Sequence, residues 1–353
     1  MEIVFVTSAL HGGGAERVIV SLANYFSGQG DTVTVLMTAG SEVAYEVAPE
    51  VRVCSIGRAS RGNVWIQIQR LMHMRRFFKT HRDSKIIAFS TTMNLYTILA
   101  SLGLGNDVIV SERNDPARCR YKLFRNLVYR FGKRFVFQTE EARMCFPPHI
   151  RNKGVVIPNP LREGLPDVWN GERERKIAVV GRLEPQKNHA LLIRAFAGFV
   201  KKFPEYELCI FGTGGLEQEL KHMAKDLGIG EKVSFPGFRK NVLEIIRSYR
   251  MFVLSSDYEG IPNSLMEAMA LGLPIVATDC PCGGPRTIMT HEKDGLLIPI
   301  KDQKALEEGI LRLIEDRELA ERLGREARKI ADRAGGQAVY EQWKAYIEEL
   351  CDG

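Results

Sequence analysis

Short runs of β-branched and large apolar residues recur along this chain, and they are continuous rather than alternating with polar positions. Ile3–Thr7, Thr32–Met37, Lys85–Ser90, Val108–Ser111 and Arg134–Gln138 lie in the first half. Lys176–Gly181, Glu207–Phe211, Val233–Phe235, Met251–Ser255 and Pro274–Thr278 lie in the second. Continuous apolarity marks parallel strands covered on both faces. The segments between them, such as Glu16–Phe26 and Leu216–Leu227, carry the helical period. This alternation predicts an α/β protein of two doubly wound, Rossmann-like domains facing a cleft. The rhythm breaks from Pro158-Asn159-Pro160 to Gly171–Arg175, a stretch rich in Pro, Gly and charge. It reads as a linker and places the domains at 1–165 and 171–335. Val339, Trp343, Tyr346 and Ile347 share one face of a terminal helix over roughly Gly335 to Leu350.

A length of 353 residues suits two domains, and 45% hydrophobic with 26% charged residues suits a soluble globular chain. No apolar run approaches the roughly 18 residues of a membrane span. The start, Met1–Val6, has no basic segment and runs straight into a strand, so no signal peptide is expected. The seven cysteines form no CxxC pair, which predicts reduced structural thiols and a cytoplasmic location. Charge is uneven: residues 1–165 hold 22 Lys/Arg against 13 Asp/Glu, although the whole chain is only +6. A basic first half predicts an anionic partner, either a phosphate-bearing acceptor or an anionic membrane. No nucleic-acid motif occurs.

Chemistry-bearing residues gather where predicted strands end. After Met251–Ser255 comes Glu259-Gly260-Ile261-Pro262-Asn263-Ser264-Leu265-Met266-Glu267, two carboxylates eight residues apart astride a helix start. Amides that open a helix lack intrahelical acceptors, so Gly260 to Ser264 can face an anion or a sugar oxygen. Glu267 can accept two hydrogen bonds from a vicinal diol, and Glu259 can meet hydroxyl groups. After Lys176–Gly181, the segment Gly181-Arg182-Leu183-Glu184-Pro185-Gln186-Lys187-Asn188 sets two cations at the sheet edge where open α/β folds bind ligands. Together these can neutralise a diphosphate. Three more turns follow strands: Phe211-Gly212-Thr213-Gly214-Gly215, Phe235-Pro236-Gly237-Phe238-Arg239 and Gly283-Gly284-Pro285-Arg286. His11-Gly12-Gly13-Gly14-Ala15-Glu16-Arg17 sets three glycines before the first helix, where backbone can approach a ligand closely. It is neither G-x-G-x-x-G nor a Walker A, which argues against a dinucleotide site.

In this order and spacing the blocks resemble the signature of retaining GT-B glycosyltransferases, especially glycosyltransferase family 4, and they cover nearly the whole chain. The resemblance implies transfer of a hexose or N-acetylhexosamine from a UDP-α-sugar to a glycan, with retention. It also implies that Glu259, Arg182 and Lys187 carry catalysis, and that no metal or other cofactor is needed. The nucleotide sugar would meet Gly13, Gly14, Gly212, Gly214, Phe238, residues 260–265 and Glu267, with the base beside Phe238. The acceptor side would hold His11, Glu112 and Arg113. Relatives carry His in a Ser-Glu-His context where this chain has Ser111-Glu112-Arg113; they often carry Glu where it has Thr287, in a turn expected to follow the sixth strand of the second domain. The terminal helix, over 336–353, would return to the first domain.

Two basic, apolar stretches bear on the acceptor. Asn63–Arg82 reads as a helix mixing Trp65, Ile68 and Met72 with Arg70, Arg75, Arg76 and Lys79, a pattern that suits anionic lipid. Arg118–Arg134 is similar, with Tyr121, Phe124, Tyr129 and Phe131. Both also fit core-packed helices with a solvated basic edge. The favoured acceptor is a polyprenyl-diphosphate-linked oligosaccharide, met by a peripheral protein at the inner face of the cell membrane. The alternatives are a UDP-sugar epimerase or phosphorylase of the same architecture, and a non-catalytic relative that binds membrane or a partner.

Overall fold

The computed structural model describes residues 1–57 and 64–349. It divides into two compact units, Met1–Pro160 with Gly336–Gly353, and Leu161–Gly335. Each is built on one wholly parallel sheet covered on both faces, so each is a Rossmann-like domain.

In the first unit the strands are β1 (Glu2–Thr7), β2 (Thr32–Met37), β3 (Arg52–Ser55), β4 (Lys85–Phe89), β5 (Asp107–Ser111), β6 (Arg134–Phe137) and β7 (Gly154–Val156), in the order β3-β2-β1-β4-β5-β6-β7. The direction of winding reverses between β1 and β4. Successive β1 residues point to opposite faces. Ile3 and Phe5 pack with helix Gly14–Gly28 and with Val339, Tyr340 and Trp343 of helix Gly336–Glu348. Val4 and Val6 pack with helices Val64–Thr80, Thr91–Ser101 and Lys122–Tyr129. The terminal helix is held by apolar burial: Trp343 is wholly buried, its ring 5.8 Å from Phe89, and Tyr340 stacks on Tyr25 at 4.8 Å. Asn63 and Leu350–Gly353, at the ends of the two helices expected above, lie outside the described residues.

The second unit carries β8 (Glu174–Val180), β9 (Glu207–Phe211), β10 (Val233–Gly237), β11 (Tyr249–Leu254), β12 (Ile275–Thr278) and β13 (Leu296–Ile298), in the order β10-β9-β8-β11-β12-β13. The reversal here lies between β8 and β11. The Gly283–Arg286 turn follows the fifth strand of this unit, not the sixth. Strand β13, with three residues, comes after that turn and is too short to show a period. Leu161 N–H donates to Ala334 O, so this unit closes its own start against its own end.

Candidate functional site

Open parallel sheets bind ligands outside the carboxyl ends of their strands, at the winding reversal. In the second unit the residues that leave β8 and β11 are Gly181–Asn188 and Ser255–Pro262, and the sheet brings these loops side by side. Lys187 Nζ lies 2.5 Å from Glu259 Oε1, with exposures of 15% and 8%. The same oxygen accepts from Ser256 Oγ at 2.7 Å, and Oε2 accepts from Gln186 Nε2 at 3.3 Å. Gln186 also donates to Tyr258 O, and Ser255 Oγ donates to Lys187 O. Thr278 Oγ1 and Cys280 Sγ, at the end of β12, donate to Ser256 O. A charge this dehydrated persists only when paired and hydrogen-bonded, which is the arrangement around Glu259.

Asn188 turns the first loop into its helix. It holds the left-handed conformation (φ +43°) that Asn tolerates, caps helix His189–Phe199 by accepting from Leu191 N–H, and donates to Asp257 at 2.8 Å. His189 is buried. Its Nε2 lies 3.2 Å from Arg182 O, and desolvation pushes the imidazole down to about 4, so the ring is neutral and donates there. This contact fixes the backbone of Arg182, whose side chain is exposed. None of Gln186, Asn188, His189, Ser256 or Asp257 follows from ligand chemistry alone. The visible signal was a capping signature, Lys-Asn-His before an apolar helix.

Glycines decide how close these loops come. A Cβ on Gly212 (φ +136°) would lie 2.0 Å from Gly181 O, and one on Gly214 would lie 2.4 Å from Leu183 O. Both therefore have a packing reason that needs no ligand. A Cβ on Gly284 would lie 1.7 Å from Gly260 O, so the Gly283-Gly284 turn backs directly onto the Glu259–Asn263 loop. Thr287 hydroxyl closes that turn on Gly283 O, and Arg286 pairs with Asp279 at 2.7 Å.

Helix Asn263–Ala270 begins after Pro262. Gly260, Ile261 and Pro262 are buried; Asn263 and Ser264 are half-buried. The Leu265 side chain is wholly buried and its N–H donates to Pro262 O. Glu267, the fifth residue of the helix, is buried. Phe238 follows β10 and is 57% exposed. Among the described residues no three His, Cys, Asp or Glu side chains converge as a metal site.

In the first unit several candidates point inward. Gly12 and Gly13 N–H both donate to Glu16 Oε2, at 3.0 and 3.1 Å, so an internal carboxylate already occupies the amides offered to a diphosphate. Gly14 opens the helix, and His11 is exposed, 3.7 Å from Glu42. Glu112 is buried and accepts from Tyr129, from Asn94 at 3.2 Å and from Thr91 at 2.8 Å. Burial beside this carboxylate raises the Tyr129 phenol well above its ordinary value. Arg113 lies over the Phe89 ring at 4.4 Å, 5.4 Å from Trp343, and donates to Asn159 Oδ1 at 2.9 Å. Its Nε and Nη2 are buried without an acceptor among the described residues, and desolvation lowers the guanidinium to about 9. The aromatic faces take up this cation. Glu112 is thus enclosed in the first unit, and Arg113, half-buried, is held against Phe89 and Asn159.

Of the four lipid-facing cations expected on helix Val64–Thr80, Arg75 donates to Ala100 O and Leu102 O, closing the end of the neighbouring helix. Arg70 donates to Gln67 and lies over Tyr96. Arg76 and Lys79 are exposed.

Residues 166–330 match the family model described as "Glycosyl transferases group 1". The GalNAc-alpha-(1->4)-GalNAc-alpha-(1->3)-diNAcBac-PP-undecaprenol alpha-1,4-N-acetyl-D-galactosaminyltransferase of Campylobacter jejuni is 26% identical over 99% of both chains. A second Campylobacter jejuni relative, named N-acetylgalactosamine-N,N'-diacetylbacillosaminyl-diphospho-undecaprenol 4-alpha-N-acetylgalactosaminyltransferase, is 26% identical over 90% of both. Among solved structures, Anabaena HepE in complex with UDP aligns with a TM-score of 0.81 at 18% identity, covering 99% of this chain and all of that one. The chain has the two Rossmann-like domains of GT-B glycosyltransferase structures, and the match to the group 1 model spans nearly all of its second unit.

Proposed function

We propose that the protein is a retaining glycosyltransferase that moves a hexose or N-acetylhexosamine from a UDP-α-sugar to a polyprenyl-diphosphate-linked glycan, working peripherally at the inner membrane face. The observation that carries this reading is the Lys187–Glu259 pair, held at the winding reversal of the second unit. Two relatives named for diphospho-undecaprenol-linked acceptors span nearly all of the chain, and the HepE complex contains UDP.

In this mechanism the donor diphosphate lies against Arg182 and Lys187. Their charge stabilises the leaving phosphate as negative charge builds on it, so no metal is required. The glycosidic C–O bond to phosphate breaks through an oxocarbenium-like state. The acceptor oxygen attacks from the same face and passes its proton to the departing phosphate oxygen. Glu259 holds Lys187 in line and orients sugar hydroxyls, the backbone from Gly260 to Ser264 binds sugar or phosphate oxygens, and Glu267 takes the ribose diol. Phe238 marks the base.

The test is incubation with labelled nucleotide sugars and a bacterial membrane lipid extract, with chelator present. Label from a UDP-sugar should enter the organic-extractable fraction. Transfer that needs added metal, or none from any donor, would overturn the reading.

A further inference from the structure

Helix Lys122–Tyr129 turns Arg125 inward beside Val128 and Tyr129. Its one inward-pointing cation, Arg125, is 1% exposed, donates to Pro116 O at 2.8 Å and lies 4.2 Å from the Phe146 ring centre. Three large apolar residues of the same helix face solvent: Leu123 is 88% exposed, Leu127 54% and Phe124 52%, with Tyr121 and Phe131 at the two ends above 60%. A patch of this kind marks an interaction site rather than scatter. It is also strongly charged. Residues 116–139 contain seven Lys/Arg and no Asp or Glu. Arg118, Arg120, Lys122, Arg130 and Lys133 are exposed, and Arg120, Lys122 and Arg130 have no ion-pair partner among the described residues. Apolar tips ringed by unneutralised cations complement an anionic bilayer, whose headgroups meet the cations while its acyl boundary takes the tips.

We infer that residues 118–133 form the membrane-docking surface of the first unit, with Leu123, Phe124 and Leu127 inserted among the lipids and Arg120, Lys122 and Arg130 at the headgroups. Helix Val64–Thr80 has a weaker claim: two of its cations are engaged internally, and only its first half shows exposed apolar residues. The inference deepens the membrane side of the proposed function, but its test uses neither donor nor acceptor.

The test is co-sedimentation of the full chain with vesicles of phosphatidylcholine containing one-third phosphatidylglycerol. The wild type should bind, and binding should weaken with salt. Arg120→Gln with Lys122→Gln should lower affinity about 25-fold, near fivefold per cation. Leu123→Ser with Leu127→Ser should abolish sedimentation while leaving the thermal midpoint unchanged, because both positions are solvent-exposed. Wild-type binding by either variant, or absence of binding by the unaltered protein, overturns the inference. So does a dimer that Leu123→Ser dissociates, because a second copy would then cover the patch. Transfer to a soluble acceptor would persist in these variants, which separates failure of docking from failure of the transferase reading.

Discussion

Glu259→Gln removes one charge while nearly preserving shape. Ser256 still finds an acceptor oxygen, but Lys187, only 15% exposed, loses its counter-charge at 2.5 Å. Removing one member of a fully buried pair costs about 3–5 kcal/mol, and the partial exposure of Lys187 brings this to about 2 kcal/mol. For a unit of this size that lowers the thermal midpoint by about 4–8 °C. Lys187→Met leaves Glu259 with Ser256 and Gln186, so it should cost less. The double variant should be more stable than the sum of the singles, by about 1 kcal/mol, because neither charge is then stranded. Calorimetry of the four proteins measures this cycle. Additive effects, or an unshifted Glu259→Gln midpoint, would refute the pairing. Turnover supplies a second arm: under the proposed mechanism Lys187→Met lowers kcat about 100- to 1,000-fold.

Gly284→Ala should displace the Glu259–Asn263 loop, since its Cβ would meet Gly260 O at 1.7 Å; UDP affinity by calorimetry should fall together with stability, by about 1–3 kcal/mol. His189 makes stability depend on acid. Its imidazole is held at about 4 in the fold, so the unfolded chain takes up the proton first. Stability is intact above about pH 6.5 and declines by up to about 1.4 kcal/mol per pH unit toward 4. Urea melts from pH 7 to 4 should show this slope, and His189→Gln should flatten it. Trp343→Ala should cost about 3–5 kcal/mol and release the terminal helix to hydrogen exchange, because that ring is wholly buried against Phe89.

Period and punctuation along the chain were enough to read two doubly wound sheets, and the strand-end motifs were legible because parallel sheets expose their chemistry at carboxyl ends. The apolar stripe of Val339, Trp343 and Ile347 was equally plain. Strands β3, β7 and β13 are too short to carry a period. What only the tertiary structure decided was which way each polar group turns. The resemblance offers Glu112 and Arg113 to the acceptor side, and the fold encloses Glu112 with Thr91, Asn94 and Tyr129 and sets Arg113 between Phe89 and Asn159. Glu16 occupies the amides of the glycine loop. Arg118–Arg134 fits either a lipid-facing or a core-packed helix in sequence; the fold turns Arg125, Val128 and Tyr129 inward and leaves Leu123 and Leu127 in solvent. Sequence pattern reports neighbours within a few residues. Lys187 and Glu259 meet across 72 positions, and that contact depends on β8 and β11 being neighbours in the sheet and on glycines, without side chains of their own, letting the neighbouring loops close up.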